Sequence, residues 1–245
     1  MDKIKLFCIP YSGASASVYT VWKKYLPEQI ALYPIELSGH GKRVKAPLYD
    51  NLEQAVKDVV ISILKQLKKG EPYAIIGHSM GALLAYEVYY KLMELGVHQP
   101  CHMFFSGRKA PQDQKEQTAF YAASDDEFLK IVYIYGGTTP AVMQNKELRE
   151  LFLPMLRSDF KITETYVWKE REAKIQCPIT VINGKSDTSV ANADMGHWRQ
   201  CTQDTCSILE CYGDHFFLVQ DPEKMAGILA QQLRPHNKPI QRGKE

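Results

Sequence analysis

No two cysteines stand in a C-x-x-C pair, no hydrophobic run near the start reaches the length of a signal h-region or a membrane span, and no block of one charge sign dominates. Each absence removes a class of function. The six cysteines, Cys8, Cys101, Cys177, Cys201, Cys206 and Cys211, sit mostly within or beside apolar runs, as reduced core thiols do. Neither a metal site nor a disulfide framework is expected from them. The segment MDKIKLFCIPYSG meets a proline and a glycine after one short apolar run, so the expectation is a cytoplasmic chain without a membrane segment. A net charge of +2 implies neither nucleic acid nor an anionic membrane as partner. Internal repeats and low-complexity segments are missing as well.

What is present is enough apolar material, 45% of 245 residues, for one sizeable core, and the expectation is a single domain over residues 1–245. Apolar runs of strand length recur: IKLFCIP, IALYPIEL, YAIIGHS, CHMFFSG, ITVING and SILECYGD. Helix-like patterns fall between them, which is the signature of an α/β fold with a mostly parallel sheet flanked by crossover helices. From Asn51 to Leu67 the apolar residues form one stripe, and Asp50 with Glu53 resembles a capping box at its start. Met80 to Leu95 is apolar on most sides and is followed by Gly96, as a buried helix with a glycine stop would be. One interval, residues 108–176, is far longer than an ordinary α/β connection. Its helical patterns DDEFLKIVYIY and KELRELFLPMLRSDF flank GGTTP, which suits a bend, and the expectation is a helical lid insertion over a site. The polar tail 234–245 lacks periodicity and reads as frayed.

The run Gly77-His78-Ser79-Met80-Gly81 stands where a strand pattern ends and a helix pattern begins. A serine at such a turn is held in strained backbone geometry, and the flanking glycines remove side chains that would block the close approach. The N-terminus of the following helix leaves the Met80 N–H free to stabilise an oxyanion. A serine hydroxyl needs a base, and the base an orienting acid, in the chain order Ser, Asp or Glu, His. Asp187 lies a few residues beyond ITVING, where a loop at the carboxyl edge of the sheet would present it; a turn or capping aspartate is the ordinary alternative. Only His197, His215 and His236 follow it. His236 falls in the tail and His197 in MGHWRQC, a short surface helix, which leaves His215 in the loop GDHFF. Asp214 is a sequence neighbour whose side chain diverges, and His78 packs beside the elbow. The loop Ile9 to Ala14 offers the second oxyanion donor, Ser12 N–H or failing that Tyr11 N–H; a plain Gly/Ser turn explains the same pattern.

With these residues in hand the chain resembles the external, or type II, thioesterases of nonribosomal peptide and polyketide synthesis, which have the α/β-hydrolase fold. CIPYSGASASVYTVW is similar to the family's C-F-P-x-A-G-G motif, IELSGHGKR to its P-G-R/H-x-x-R loop, and IIGHSMGALLAYEVYYKL to its elbow. SGRKAP matches the entry to the lid, and NGKSDTSV and GDHFFL the acid and histidine loops. The resemblance runs from Cys8 to about Leu233, with Ser12-Gly13-Ala14 in place of A-G-G and Ser38 in place of a proline. It implies a serine hydrolase without cofactor or metal. Such an enzyme releases acyl or aminoacyl groups from the phosphopantetheine arms of carrier protein domains, its partners, and acts as a monomer. Phe128, Ile131, Tyr135, Met143, Phe152 and Met155 then either line an acyl channel or pack the lid onto the core. Lys42, Arg43, Arg108, Lys109 or Arg157 either steer an acidic carrier or form a solvated face. Two rivals stay open: a small-molecule carboxylesterase or lipase, and a non-catalytic binding protein on a hydrolase fold.

Overall fold

In the computed structural model, which describes residues 3–113, 119–134, 141, 144–191 and 193–234, the six apolar runs become six strands. They are β1 (Ile4–Ile9), β2 (Ile30–Pro34), β3 (Tyr73–His78), β4 (His102–Ser106), β5 (Ile179–Gly184) and β6 (Cys206–Cys211). The sheet order is β2-β1-β3-β4-β5-β6 and every pairing is parallel. Parallel strands need both faces covered, and β1 shows how the sequence provides for that. Leu6 and Cys8 enter one apolar cluster while Phe7 and Ile9 enter the other, following the two-residue period of a strand. The first cluster is closed by Trp22 of a 3₁₀ helix (Ala16–Lys24) and by Leu229. The second is closed by α1 (Leu52–Leu64), through Val59 and Ile63, and by α2 (Met80–Glu94), through Leu84 and Val88.

The chain order reverses between β1 and β3, because β2 lies to one side and β4 to β6 to the other. Loops leaving the carboxyl ends of β1 and β3 therefore diverge and open a crevice, the usual ligand position in such sheets. Ile9 pairs with Gly77 and His78 with Ser106, so the loops after β1, β3 and β4 leave at one level.

Between β4 and β5 the inserted segment forms α3 (Asp125–Ile134) and α4 (Lys146–Glu164), with Pro154 inside α4. Phe128, Val132, Met155 and Leu156 bury one another in a small third cluster. After β6 come a short α5 (Phe217–Gln220) and α6 (Pro222–Gln232), the latter contributing Leu229 and Met225 to the first cluster. GGTTP and the tail from residue 235 onward lie outside the described residues, as do Tyr135, Met143 and His236.

Several local expectations shift. The cap of α1 is Asn51, whose Oδ1 accepts the Gln54 N–H at 3.0 Å, not Asp50; the helix also stops at Leu64, three residues short of Leu67. Asp50 instead donates its N–H to Gln54 Oε1 at 2.9 Å, so the box pattern is offset by one residue. Among the cysteines Cys101 is exposed, whereas Cys8, Cys177, Cys201 and Cys211 are buried and all six are free thiols. No described helix is long and apolar enough to cross a membrane.

Candidate active site

The elbow is built by close backbone approach. A methyl on Gly77 would lie 1.9 Å from Gly81 O, and one on Gly81 would lie 2.1 Å from Ile9 O, so α2 can start against β1 only with glycine at both places. Between them Ser79 has φ 53°, the one non-glycine residue at positive φ among the described residues. Its backbone is pinned from both sides. The Ser79 N–H donates to Ser106 O at 2.8 Å, and its carbonyl accepts the Ala82 N–H at 3.0 Å. Strain of this kind persists only where the surroundings over-determine it. Met80 is the first residue of α2, so its N–H has no intrahelical acceptor.

Asp187 and His215, 28 residues apart, meet in a hydrogen bond of 2.8 Å from His215 Nδ1 to Asp187 Oδ2. The loops that bring them together are zipped by their backbones, Lys185 N–H to Cys211 O at 2.8 Å and Ser186 N–H to Gly213 O at 3.0 Å. The other carboxylate oxygen of Asp187 accepts from Ser189 twice, N–H at 3.0 Å and Oγ at 2.6 Å. Burial works against charge on Asp187, but the bonds from His215 and Ser189 outweigh it and hold the pKa below the ordinary 3.8. With Nδ1 donating to a carboxylate, Nε2 is the nitrogen left to act as a base.

Ser79 and His215 line one cavity of about 400 Å³, together with Ser12, Gly107, Leu156 and Phe216. Among the described residues no hydrogen bond joins Ser79 Oγ to the imidazole; the two groups share the cavity wall. Such contacts are often long in unliganded enzymes and tighten around substrate. Asp214 is occupied elsewhere, its Oδ1 accepting the Phe216 N–H at 2.8 Å and Gln220 Nε2 at 2.9 Å. His197 pairs with Asp113 at 2.7 Å, on the 3₁₀ helix Met195–Cys201.

The loop after β1 is a tight turn in which the Ala14 N–H donates to Tyr11 O at 3.1 Å and Gly13 takes φ 80°. Ser12 and Tyr11 both line the cavity. Among the described residues neither the Ser12 N–H nor the Tyr11 N–H has a hydrogen-bond acceptor. Ala14 does not need positive φ, because Gly13 supplies it.

His78 packs beside the elbow, fully buried, with Nδ1 2.9 Å from Ser106 Oγ and its ring 4.9 Å from that of His215. Burial, reinforced by repulsion from His215, pushes its pKa well below 6.5. A neutral His78 does not oppose positive charge forming on its neighbour.

The inserted helices behave differently from the acyl-channel expectation. Phe128, Phe152 and Met155 pack within the third cluster and Ile131 is half-buried; the cavity is walled instead by Phe120, Val132, Leu156 and Phe160. Apart from Phe120, which sits on the 3₁₀ turn Phe120–Ala122, neighbouring turns of the same helices carry the two sets, and the sequence does not say which turn tilts toward the crevice. Of the cationic residues, Arg108 and Lys109 also line the cavity, while Lys42 is exposed. Arg43 is committed to Asp58 at 2.6 Å, and Arg157 to Asp125 at 2.6 Å and the Phe128 ring at 4.7 Å, which removes both from a free steering surface. Sequence reading missed Ser189, although Asp-x-Ser is a recognisable Asx-turn pattern; Ser106 stands in the SGRKAP motif, but its bond to His78 is set by strand pairing and has no local signal. No group of three or more potential metal ligands occurs among the described residues.

A sequence-family model described as "Thioesterase domain" matches residues 4–233. The chain is 34% identical over 232 residues to the gramicidin S biosynthesis protein GrsT of Aneurinibacillus migulanus, covering 95% of this chain and 90% of that protein. The crystal structure of ClbQ, from the colibactin NRPS/PKS pathway, superposes with a TM-score of 0.89 at 32% identity, covering 94% of this chain and 97% of ClbQ. BorB, a type II thioesterase from the borrelidin biosynthetic cluster, gives a TM-score of 0.84 at 26% identity, with 95% and 93% covered. A parallel sheet with a glycine-flanked serine elbow and an Asp–His pair at its carboxyl edge, matched over nearly its whole length, makes this chain a hydrolase of the thioesterase family.

Proposed function

We propose that the protein is a type II thioesterase that frees acyl or aminoacyl groups from the phosphopantetheine arms of carrier domains in nonribosomal peptide or polyketide synthesis, clearing stalled or wrongly loaded modules. The observation that carries the chemistry is the 2.8 Å bond that ties buried Asp187 to His215, which lines the same cavity as Ser79. The pathway rests on the relatives: ClbQ comes from an NRPS/PKS pathway, BorB is a type II thioesterase of the borrelidin biosynthetic cluster, and GrsT is a gramicidin S biosynthesis protein.

In this scheme Ser79 Oγ attacks the thioester carbonyl while His215 Nε2 takes its proton. Met80 N–H and Ser12 N–H hold the oxyanion. The tetrahedral intermediate collapses, the C–S bond breaks, and the imidazolium returns the proton to the departing thiolate. A thiol with a pKa near 8.5 asks less of that acid than an alkoxide would. Water then attacks the acyl-serine, gives its proton to His215, and releases the carboxylic acid and Ser79. Ser189 keeps Asp187 oriented, and neutral His78 leaves room for the imidazolium charge. The inserted helices act as a lid, supported by their position on the cavity wall through Val132, Leu156 and Phe160. No cofactor or metal enters this scheme, and the enzyme works as a cytoplasmic monomer.

The deciding experiment is hydrolysis of a panel of acetyl-, aminoacyl- and longer-acyl-loaded holo-carrier proteins beside p-nitrophenyl esters, with Ser79→Ala as control. Turnover of the loaded carriers with the higher kcat/KM, abolished in the control, is the expected result. Faster turnover of the simple esters would make the enzyme a general carboxylesterase. Carrier binding without turnover would leave only the binding-protein alternative.

A further inference from the structure

Asp159 is fully buried on α4, and nothing in the acyl-transfer scheme uses it. Its Oδ2 accepts two hydrogen bonds, from the Gly13 N–H at 2.7 Å and from His40 Nε2 at 2.9 Å. His40 is 1% exposed, and its Nδ1 lies 2.9 Å from the carbonyl of Ser38. The Ser38 carbonyl only accepts, so Nδ1 donates to it, and with Nε2 facing the Asp159 carboxyl the protonated ring makes a buried imidazolium–carboxylate pair. Burial opposes the charge on His40, yet Asp159, helped by the Ser38 carbonyl and by Glu36, raises its pKa above 6.5. Glu36 is itself tied down, accepting the N–H groups of Ala16 at 2.8 Å and Lys42 at 3.2 Å.

A buried ion pair adds little net stability, because dehydrating two charges offsets most of their attraction. What this one joins is informative. Gly13 follows Ser12, the residue whose N–H is the second oxyanion donor in the scheme above. Peptide groups are planar, so fixing a carbonyl fixes the N–H on the other side of the same plane. The Tyr11–Ser12 plane is fixed by the Ala14 N–H bonding Tyr11 O, and the next plane, Ser12–Gly13, is fixed only by Asp159. Without that acceptor the turn keeps one anchor of two.

We propose that Asp159 is a positioning residue: held by His40, it locks the Gly13 N–H and with it the Ser12–Gly13 plane, the second anchor of the turn that presents the Ser12 N–H to the oxyanion, so that α4 of the insertion completes the oxyanion site. The proposal rests on the reading of Ser12 as donor. Its consequence is that seating α4 over the crevice and forming the second oxyanion donor are one event, through a bond spanning 146 residues of sequence.

The test uses a fluorophosphonate, whose attack by Ser79 develops charge on a phosphoryl oxygen in the same site, and the hydrolysis of an acyl thioester of N-acetylcysteamine. Removing an oxyanion donor outright costs about 10²–10³ in rate, and a donor merely misaligned costs less. Asp159→Ala should therefore slow labelling and kcat by about 10–100-fold with KM unchanged. Asp159→Asn, whose amide oxygen can still accept the Gly13 N–H, should recover part of that loss. Labelling of Asp159→Ala at the wild-type rate overturns the proposal, and so does an Asn variant as slow as the Ala variant. If the single Ala variant fails to fold, D159A/H40Q, which removes both buried charges together, is measured instead with the same two outcomes. A wild type that takes no label sinks the nucleophile assignment as well; a labelled wild type equalled by Asp159→Ala sinks this proposal alone.

Discussion

Asp187→Asn is the substitution whose effect can be worked through from the geometry. Asp187 Oδ1 faces two donors, the N–H and Oγ of Ser189, while Oδ2 faces one, His215 Nδ1. An asparagine has one oxygen and one NH₂ to place in those two positions. Turning the NH₂ toward Ser189 sets it against a backbone N–H that cannot rotate away, so the oxygen goes there and the NH₂ goes toward His215. The imidazole must then accept at Nδ1 and carry its proton on Nε2, which is the wrong tautomer for a base acting on Ser79. Where this swap has been made in a Ser-His-Asp triad, kcat falls by about 10⁴, equivalent to about 5.5 kcal/mol of transition-state stabilisation. The same size of loss is expected here in thioester hydrolysis, together with a comparable loss in fluorophosphonate labelling. The fold should be retained, because shape and most hydrogen bonds survive. A kcat within tenfold of the parent's, with the protein folded by circular dichroism, would refute the assignment of Asp187 as the acid that orients His215.

Three further outcomes are expected. Because pairing with Asp159 raises the His40 pKa, its stabilisation is complete below the unfolded value near 6.5 and is lost as pH rises through the raised one; Tm should fall over that interval, and His40→Gln should flatten the dependence in differential scanning calorimetry. Gly77→Ala puts a methyl 1.9 Å from Gly81 O, and neither backbone can yield, so urea unfolding should show a loss of about 3 kcal/mol or more, or no folded protein at all. Ser79→Gly removes the one non-glycine residue at positive φ among the described residues and should raise stability by about 1 kcal/mol, strain relief of about 1–3 kcal/mol less the entropy of an added glycine, while abolishing labelling; an unchanged urea midpoint would mean the elbow stores no strain.

The elbow was legible because everything that makes it is local: an apolar strand, two glycines at fixed offsets from a serine, and a helix directly after. Chain order and the position of Asp187 and His215 just beyond strands marked the two residues that the structure joins at 2.8 Å. Legibility failed where a residue's role depends on what arrives from elsewhere. The pattern of α3 and α4 separates apolar from polar faces but not Phe128, which packs the insertion, from Val132 and Leu156, which also reach the cavity. Arg43 and Arg157 read as free cations until Asp58 and Asp125 are seen beside them.

The sequence by itself determined the strands, the helices that cover them, the sharp turn at Ser79 and the parallel α/β architecture, since each depends on periodicity or on backbone freedom within a few residues. Only the tertiary structure decided that Ser189 holds Asp187, that His78 is kept neutral beside His215, and that Asp159 of the insertion grips Gly13 beside the oxyanion loop. These contacts are made by side chains carried in on separate crossovers, and the strand order, not the local pattern, sets which of them meet.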